Sequence, residues 1–153
     1  MINHVYKIKY GKSSLELNED YQYLSDYEKE AMAELDAISF FDYNDDLQKY
    51  TCYIITTPLE INKYSKILSN NLIIHNFYDL SEDILLGKID IEKEVKDKIN
   101  SFNFLKYDFF IEDINDWLLE NLNIDIVLDR INEVGIDSLK DIEKEFLKHY
   151  SND

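Results

Sequence analysis

Residues 50–57, Tyr-Thr-Cys-Tyr-Ile-Ile-Thr-Thr, are an unbroken run of side chains that suit a pleated, buried surface, and Pro58 ends it. Proline fits a first helical position, where its missing N–H would have no partner anyway. The helical segment from Leu59 to Leu68 then leads through Asn70 and Asn71 into a second apolar run over 72–77. The order strand, helix, strand makes this unit the expected centre of a small sheet. It holds no glycine-rich turn, no nucleophile and no cluster of metal ligands. The stretch that most constrains the fold therefore carries no recognisable chemistry.

Upstream, Val5, Tyr6, Ile8 and Tyr10 predict a strand over 4–10, and Gly11-Lys12 a turn into a short second strand over 14–17, giving a hairpin. Ser25 and Glu28 have the Ser-x-x-Glu spacing of a capping box, so a helix is expected over 26–35, with Tyr27, Ala31 and Leu35 on its inner stripe and Met32 beside them. Residues 37–43 look like a strand that pairs with 50–57 across a polar loop. Asp79 to Gly87 should make one short helical turn.

From Asp90 the apolar period changes to 3.6 and stays there. Ile91, Val95, Ile99 and Phe102 mark one helix; Phe110, Ile111, Ile114, Trp117, Leu118 and Leu122 a second; Ile124, Leu128 and Ile131 a third, closed by Gly135. Ile142, Phe146, Leu147 and Tyr150 give a fourth its inner side. The expected fold class is α+β: a small, mainly antiparallel sheet of about five strands with two helices on it, for which a ferredoxin-like arrangement is one option, and a C-terminal helical group. The sheet unit should occupy 1–88 and the helical region 89–153, packed together as one unit.

The final segment has Leu128-Asp129-Arg130-Ile131, then Gly135, Ser138-Leu139 and the run Glu143-Lys144-Glu145-Phe146-Leu147. In these residues it resembles a short helix-turn-helix tail found at the C-terminus of many Bacteroidota proteins, some rhomboid-like membrane proteases among them. Lys140 stands where that tail more often has Thr. The resemblance covers about one seventh of the chain and implies a helical hairpin and a bacterial origin. It implies no catalysis.

Thirty-two acidic residues against sixteen basic ones give a net charge of −16, which disfavours direct contact with nucleic acid or anionic membranes. The charge is uneven. Between Glu16 and Asp46 eleven acids face one base, Lys29; between Asp108 and Asp137 nine face one, Arg130. Apolar runs are far shorter than the roughly 18 residues a membrane span needs, and the N-terminus lacks the basic and apolar regions of a signal peptide, so a cytoplasmic protein is expected. The single cysteine, Cys52, permits no intrachain disulfide and should be a small buried residue of a strand.

Catalytic and cofactor chemistry find little support. Asp42, Asn44 and Asp46 have the opening spacing of a calcium loop, but Leu47 replaces the turn glycine and Tyr53 the bidentate Glu, so an exposed hairpin loop is the expectation. His4, His75 and His149 show no zinc spacing. Glu112 and Asp116 share a helix face, as close carboxylates will in so acidic a chain. Trp117 reads as core. No catalytic residue, metal or cofactor is expected. The expected partner is a protein with a basic surface, docked by acidic and tyrosine-bearing residues: Tyr23 and Tyr27, with Tyr21 nearby, Asp45 and Asp46, and Asp113 and Asp116. That makes the chain a binding or adaptor protein; the alternative is an inhibitor, either a DNA mimic or a toxin immunity protein, that covers a basic nucleic-acid-processing enzyme. An enzyme would need a concave pocket with converging polar groups.

Overall fold

The computed structural model describes residues 1–41, 49–99 and 103–152. Strand β1 (His4–Tyr10) leads into helices α1 (Ser14–Tyr21) and α2 (Asp26–Ile38), then β2 (Phe40–Phe41), β3 (Thr51–Thr56), α3 (Pro58–Asn70) and β4 (His75–Asp79). The sheet order is β2-β3-β1-β4, every neighbouring pair antiparallel. Two β-α-β units are thus interleaved, β3 lying between β1 and β2, and β1 between β3 and β4. That is the ferredoxin-like arrangement, with two helices in its first crossover.

Side chains alternate across the strands, and each face of the sheet receives its own helical layer. Tyr6, Ile8, Tyr10, Phe41, Cys52 and Ile54 meet Leu17 of α1, Ala31, Met32 and Leu35 of α2, and Ile61, Tyr64, Ile67 and Leu68 of α3. On the opposite face Val5, Phe40 and Tyr53 meet the C-terminal helices α4 (Ser81–Leu85), α5 (Ile91–Lys96), α6 (Phe104–Asn121) and α7 (Ile124–Val134). A turn of 3-10 helix (Ile136–Ser138) connects α7 to α8 (Asp141–Asn152). The chain is α+β, and its helical half covers the second face of the sheet.

Several expectations need correction. Residues 14–17 are helical, because Ser13 and Glu16 form a second capping box; no hairpin exists there, and the described residues give four strands. Helix α2 runs on to Ile38, which shortens the strand expected at 37–43 to the two residues of β2 among the described ones. Tyr27 is 64% exposed and does not join the inner stripe of Ala31, Met32 and Leu35. The strand expected over 72–77 starts at His75, because Leu72 is a turn residue with φ 59. It is an edge strand separated from β3 by β1, so only β3 of the strand, helix, strand unit is central. Helix α5 ends at Lys96, before Ile99. In α7 the fully buried residue is Val127, while Leu128 points outward. Pro58 opens α3, as the sequence predicts, and Thr57 caps it.

Near the chain's end one buried ion pair binds three elements. Arg130 of α7 donates from Nε to Glu143 of α8 at 3.2 Å, and the other oxygen of Glu143 accepts the Lys140 N–H at 2.9 Å. Gly87, just beyond α4, has φ +74, and a Cβ there would lie 2.6 Å from the Arg130 guanidinium carbon. Gly135 (φ 82, ψ 155) occupies a region open essentially to glycine alone, and its N–H closes α7 onto Ile131. Without Glu143, Arg130 keeps only the exposed Glu133 carboxylate at 3.5 Å among the described residues. Glu143→Ala is therefore expected to lower stability by about 3 kcal/mol in urea denaturation, and a change under about 0.5 kcal/mol would mean the pair is solvated.

Candidate functional site

Helix α6 carries the second acidic block. Its inner stripe, Phe110, Ile114, Trp117 and Leu118, is buried. The Phe110 ring stacks on Phe40 with centroids 5.6 Å apart, and Trp117 Nε1 donates to the Asn3 carbonyl at 2.8 Å. Asn103, fully buried, does not cap the helix with its side chain; its amide donates to the Phe41 and Lys98 carbonyls at 3.0 and 2.9 Å, which ties the start of α6 to β2. These contacts fix which face α6 presents outward.

The outward face is unusual in its order. Asp108, Glu112, Asp116 and Glu120 follow one another at i,i+4, all exposed, and none belongs to an ion pair among the described residues. Like charges at that spacing each destabilise a helix by about 0.2–0.5 kcal/mol. Next to this row run Leu105, Phe109 and Asp113, also at i,i+4, with Leu105 and Phe109 59% and 64% exposed. Together with Ile38 at the end of α2 and Ile55 of β3, Phe109 and Asp113 line a groove of about 350 Å³. An apolar strip with an acidic margin results.

The site residues expected from sequence are only partly brought together. Asp113 lines the groove and Asp116 lies in the neighbouring acidic row. Tyr23 and Tyr27 are 87% and 64% exposed, but they sit at the opposite end of α2. Tyr27 is roughly 16 Å along the helix axis from Ile38, at 1.5 Å per residue. Asp45 and Asp46, and with them the calcium-like spacing, lie outside the described residues. Cys52 is buried, and burial pushes its thiol up, away from the reactive range. His4, His75 and His149 are far apart in their bonding, to Asp79, Ser65 and Glu145 respectively.

The sequence gives no expectation of a second hollow. Between α1 and α2 lies a cavity of about 560 Å³, whose described lining includes Leu17, Tyr21, Ala33, Asp36, Phe41 and Lys106. Lys106, the one base of α6, donates to the Asp36 backbone carbonyl at 3.0 Å and lies 4.3 Å from the Phe41 ring centre. Burial shifts three titratable groups here. It raises the Asp36 carboxyl, against the pull of Lys106; it lowers the Lys106 ammonium, against the pull of Asp36; and it raises the Tyr21 phenol, with Asp36 adding to the effect. The available signals were faint: Ala33 and Ala37 beside Asp36, small enough to leave space, and a lone lysine on an acidic helix.

No known family profile, curated protein or solved structure matches the chain.

An acid whose folded pKa is raised contributes its stability below the unfolded value, near 4, and loses it as pH rises through the folded one. Asp36→Asn removes that loss. The variant should gain thermal stability relative to the native chain between pH 4 and pH 7, the difference growing with pH; a pH-independent difference would place Asp36 in water.

Proposed function

We propose that the chain is a non-catalytic protein-binding module of a bacterial cytoplasm, one that docks a partner with a basic surface on the outer face of α6. The observation that carries this is the row Asp108, Glu112, Asp116 and Glu120 beside exposed Leu105, Phe109 and Ile38. The row lowers the helix's own stability, and a basic partner would remove that repulsion. The apolar strip supplies area for contact, in the pattern of an apolar centre with a polar rim. Among the described residues no helix is long and apolar enough to cross a membrane, in keeping with this reading. The resemblance of the last segment to a Bacteroidota tail supports the bacterial setting.

The inhibitor reading uses the same row differently. Carboxylates repeat once per helical turn, about 6 Å apart along the axis, and would stand in for phosphates on a nuclease. The exposed Phe109 and Leu105 favour the first reading, because a purely electrostatic mimic has no use for them. Asp45 and Asp46 would extend the acidic face, and Tyr23 and Tyr27 would extend contact along α2.

Affinity capture from nuclease-treated lysate tests this with two variants, Phe109→Ala and the double reversal Asp113→Lys with Asp116→Lys. A partner retained by the native chain should be lost at least tenfold with either, while Tyr23→Ala with Tyr27→Ala reports whether contact reaches along α2. Loss on charge reversal but not on Phe109→Ala, with steep weakening by salt, would favour the inhibitor. Identical capture by native chain and both variants would place the docking face elsewhere.

A further inference from the structure

The cavity between α1 and α2 lies beyond the docking face and calls for its own explanation. Its residues come from four elements. Leu17 and Tyr21 project from α1, Ala33, Asp36 and Ala37 from α2, Phe41 from β2 and Lys106 from the first turn of α6, around a volume of about 560 Å³. That is within the range of sites that enclose small molecules.

The two charges in it are opposite, near enough to perturb one another, yet not joined. The Asp36 carboxylate accepts no hydrogen bond and forms no ion pair among the described residues. Lys106 spends one of its three donors on a backbone carbonyl and rests against the Phe41 ring. A direct ion pair would have satisfied both groups. What exists instead is a carboxylate and an ammonium, each partly withdrawn from water and each with bonding capacity left over.

Charge decides what suits this arrangement. A simple anion would meet Asp36 and a chain of net charge −16. A simple cation would meet Lys106. A ligand with both charges, separated by a short link, satisfies each group and adds no net charge to a partly desolvated site. The rest of the lining specifies the remainder of the ligand: Leu17, Ala33, Ala37 and Phe41 offer an apolar wall, with Asn18 and Tyr21 completing the lining.

We propose that this cavity binds a free α-amino acid with an apolar or aromatic side chain, its ammonium on Asp36, its carboxylate on Lys106 and its side chain against Leu17 and Phe41. The site senses a small molecule on the face of the sheet opposite to the one α6 covers, and Lys106, which lines both this cavity and the groove beside Phe109, connects the two places.

Calorimetric titration of the full chain with L-phenylalanine, phenethylamine and 3-phenylpropanoate tests the proposal. L-Phenylalanine should bind at least about tenfold more tightly than either singly charged analogue, the size expected for one charged hydrogen-bonded contact. Asp36→Asn should abolish that preference over 3-phenylpropanoate, and Lys106→Met the preference over phenethylamine. Circular dichroism of each variant checks its fold, and the analogue comparison on the native chain stands even if one fails to fold. Failure of L-phenylalanine and of L-leucine to bind in the millimolar range would overturn the proposal, as would binding that neither variant alters.

Discussion

The structure depends on a sheet that is apolar over one face and over part of the other. Strand β1 lies at its middle, with Tyr6, Ile8 and Tyr10 buried to one side and, on the other, buried Val5 followed by Lys7 and Lys9. A sheet of four strands cannot leave such a face in water, so each side must acquire a helical layer. The three helices of the crossovers cover one side. The other falls to the C-terminal helices, held by Phe40, Tyr53 and Phe110 where β2, β3 and α6 meet. Glu94 of α5 reinforces that side: its carboxylate accepts from Lys7 of β1 at 2.6 Å and from the Tyr53 hydroxyl at 2.9 Å, and those bonds hold it below the usual carboxylate range despite burial.

The charge surplus becomes intelligible against this architecture. Some of the bases pair across the fold: Lys7 with Glu94, Arg130 with Glu143, Lys12 with Asp20, and Lys63 with Glu34 and Glu60. Half as numerous as the acids, they cannot neutralise every surface, and α6 is left with an acidic row and one lysine, which turns inward to Asp36. The same helix therefore supports an outward docking face and an inward contact to a cavity. Its position is set by apolar packing, and its charges are free for other use.

Much of this was legible from residue patterns, and the exceptions have physical causes. The strand 4–10, the Pro58 helix and the α6 stripe were readable because their apolar periods are long and unambiguous. Ser14-Leu15-Glu16-Leu17 alternates like a strand, but the Ser13–Glu16 capping box makes it helical, with Leu17 buried and Leu15 56% exposed. Phe40 and Phe41 are both buried because helices lie on either side of them, a circumstance two residues cannot announce. Leu72 takes a left-handed conformation while 88% exposed, so its apolar character misplaced the start of β4. For the sites, Asp113 and Asp116 were visible as charge on a helix face. Asp36 and Lys106 were not, since seventy residues separate them and only the fold makes them neighbours.

The helical half is bound to the sheet as its second layer and does not stand apart from it. Trp117, the only tryptophan, is buried at 3% exposure in that interface and reports on it alone. Equilibrium unfolding in urea, followed by Trp117 fluorescence and by far-ultraviolet circular dichroism, is the most direct test. One transition with coincident midpoints is expected. A fluorescence transition completed while the remaining secondary structure persists would contradict it.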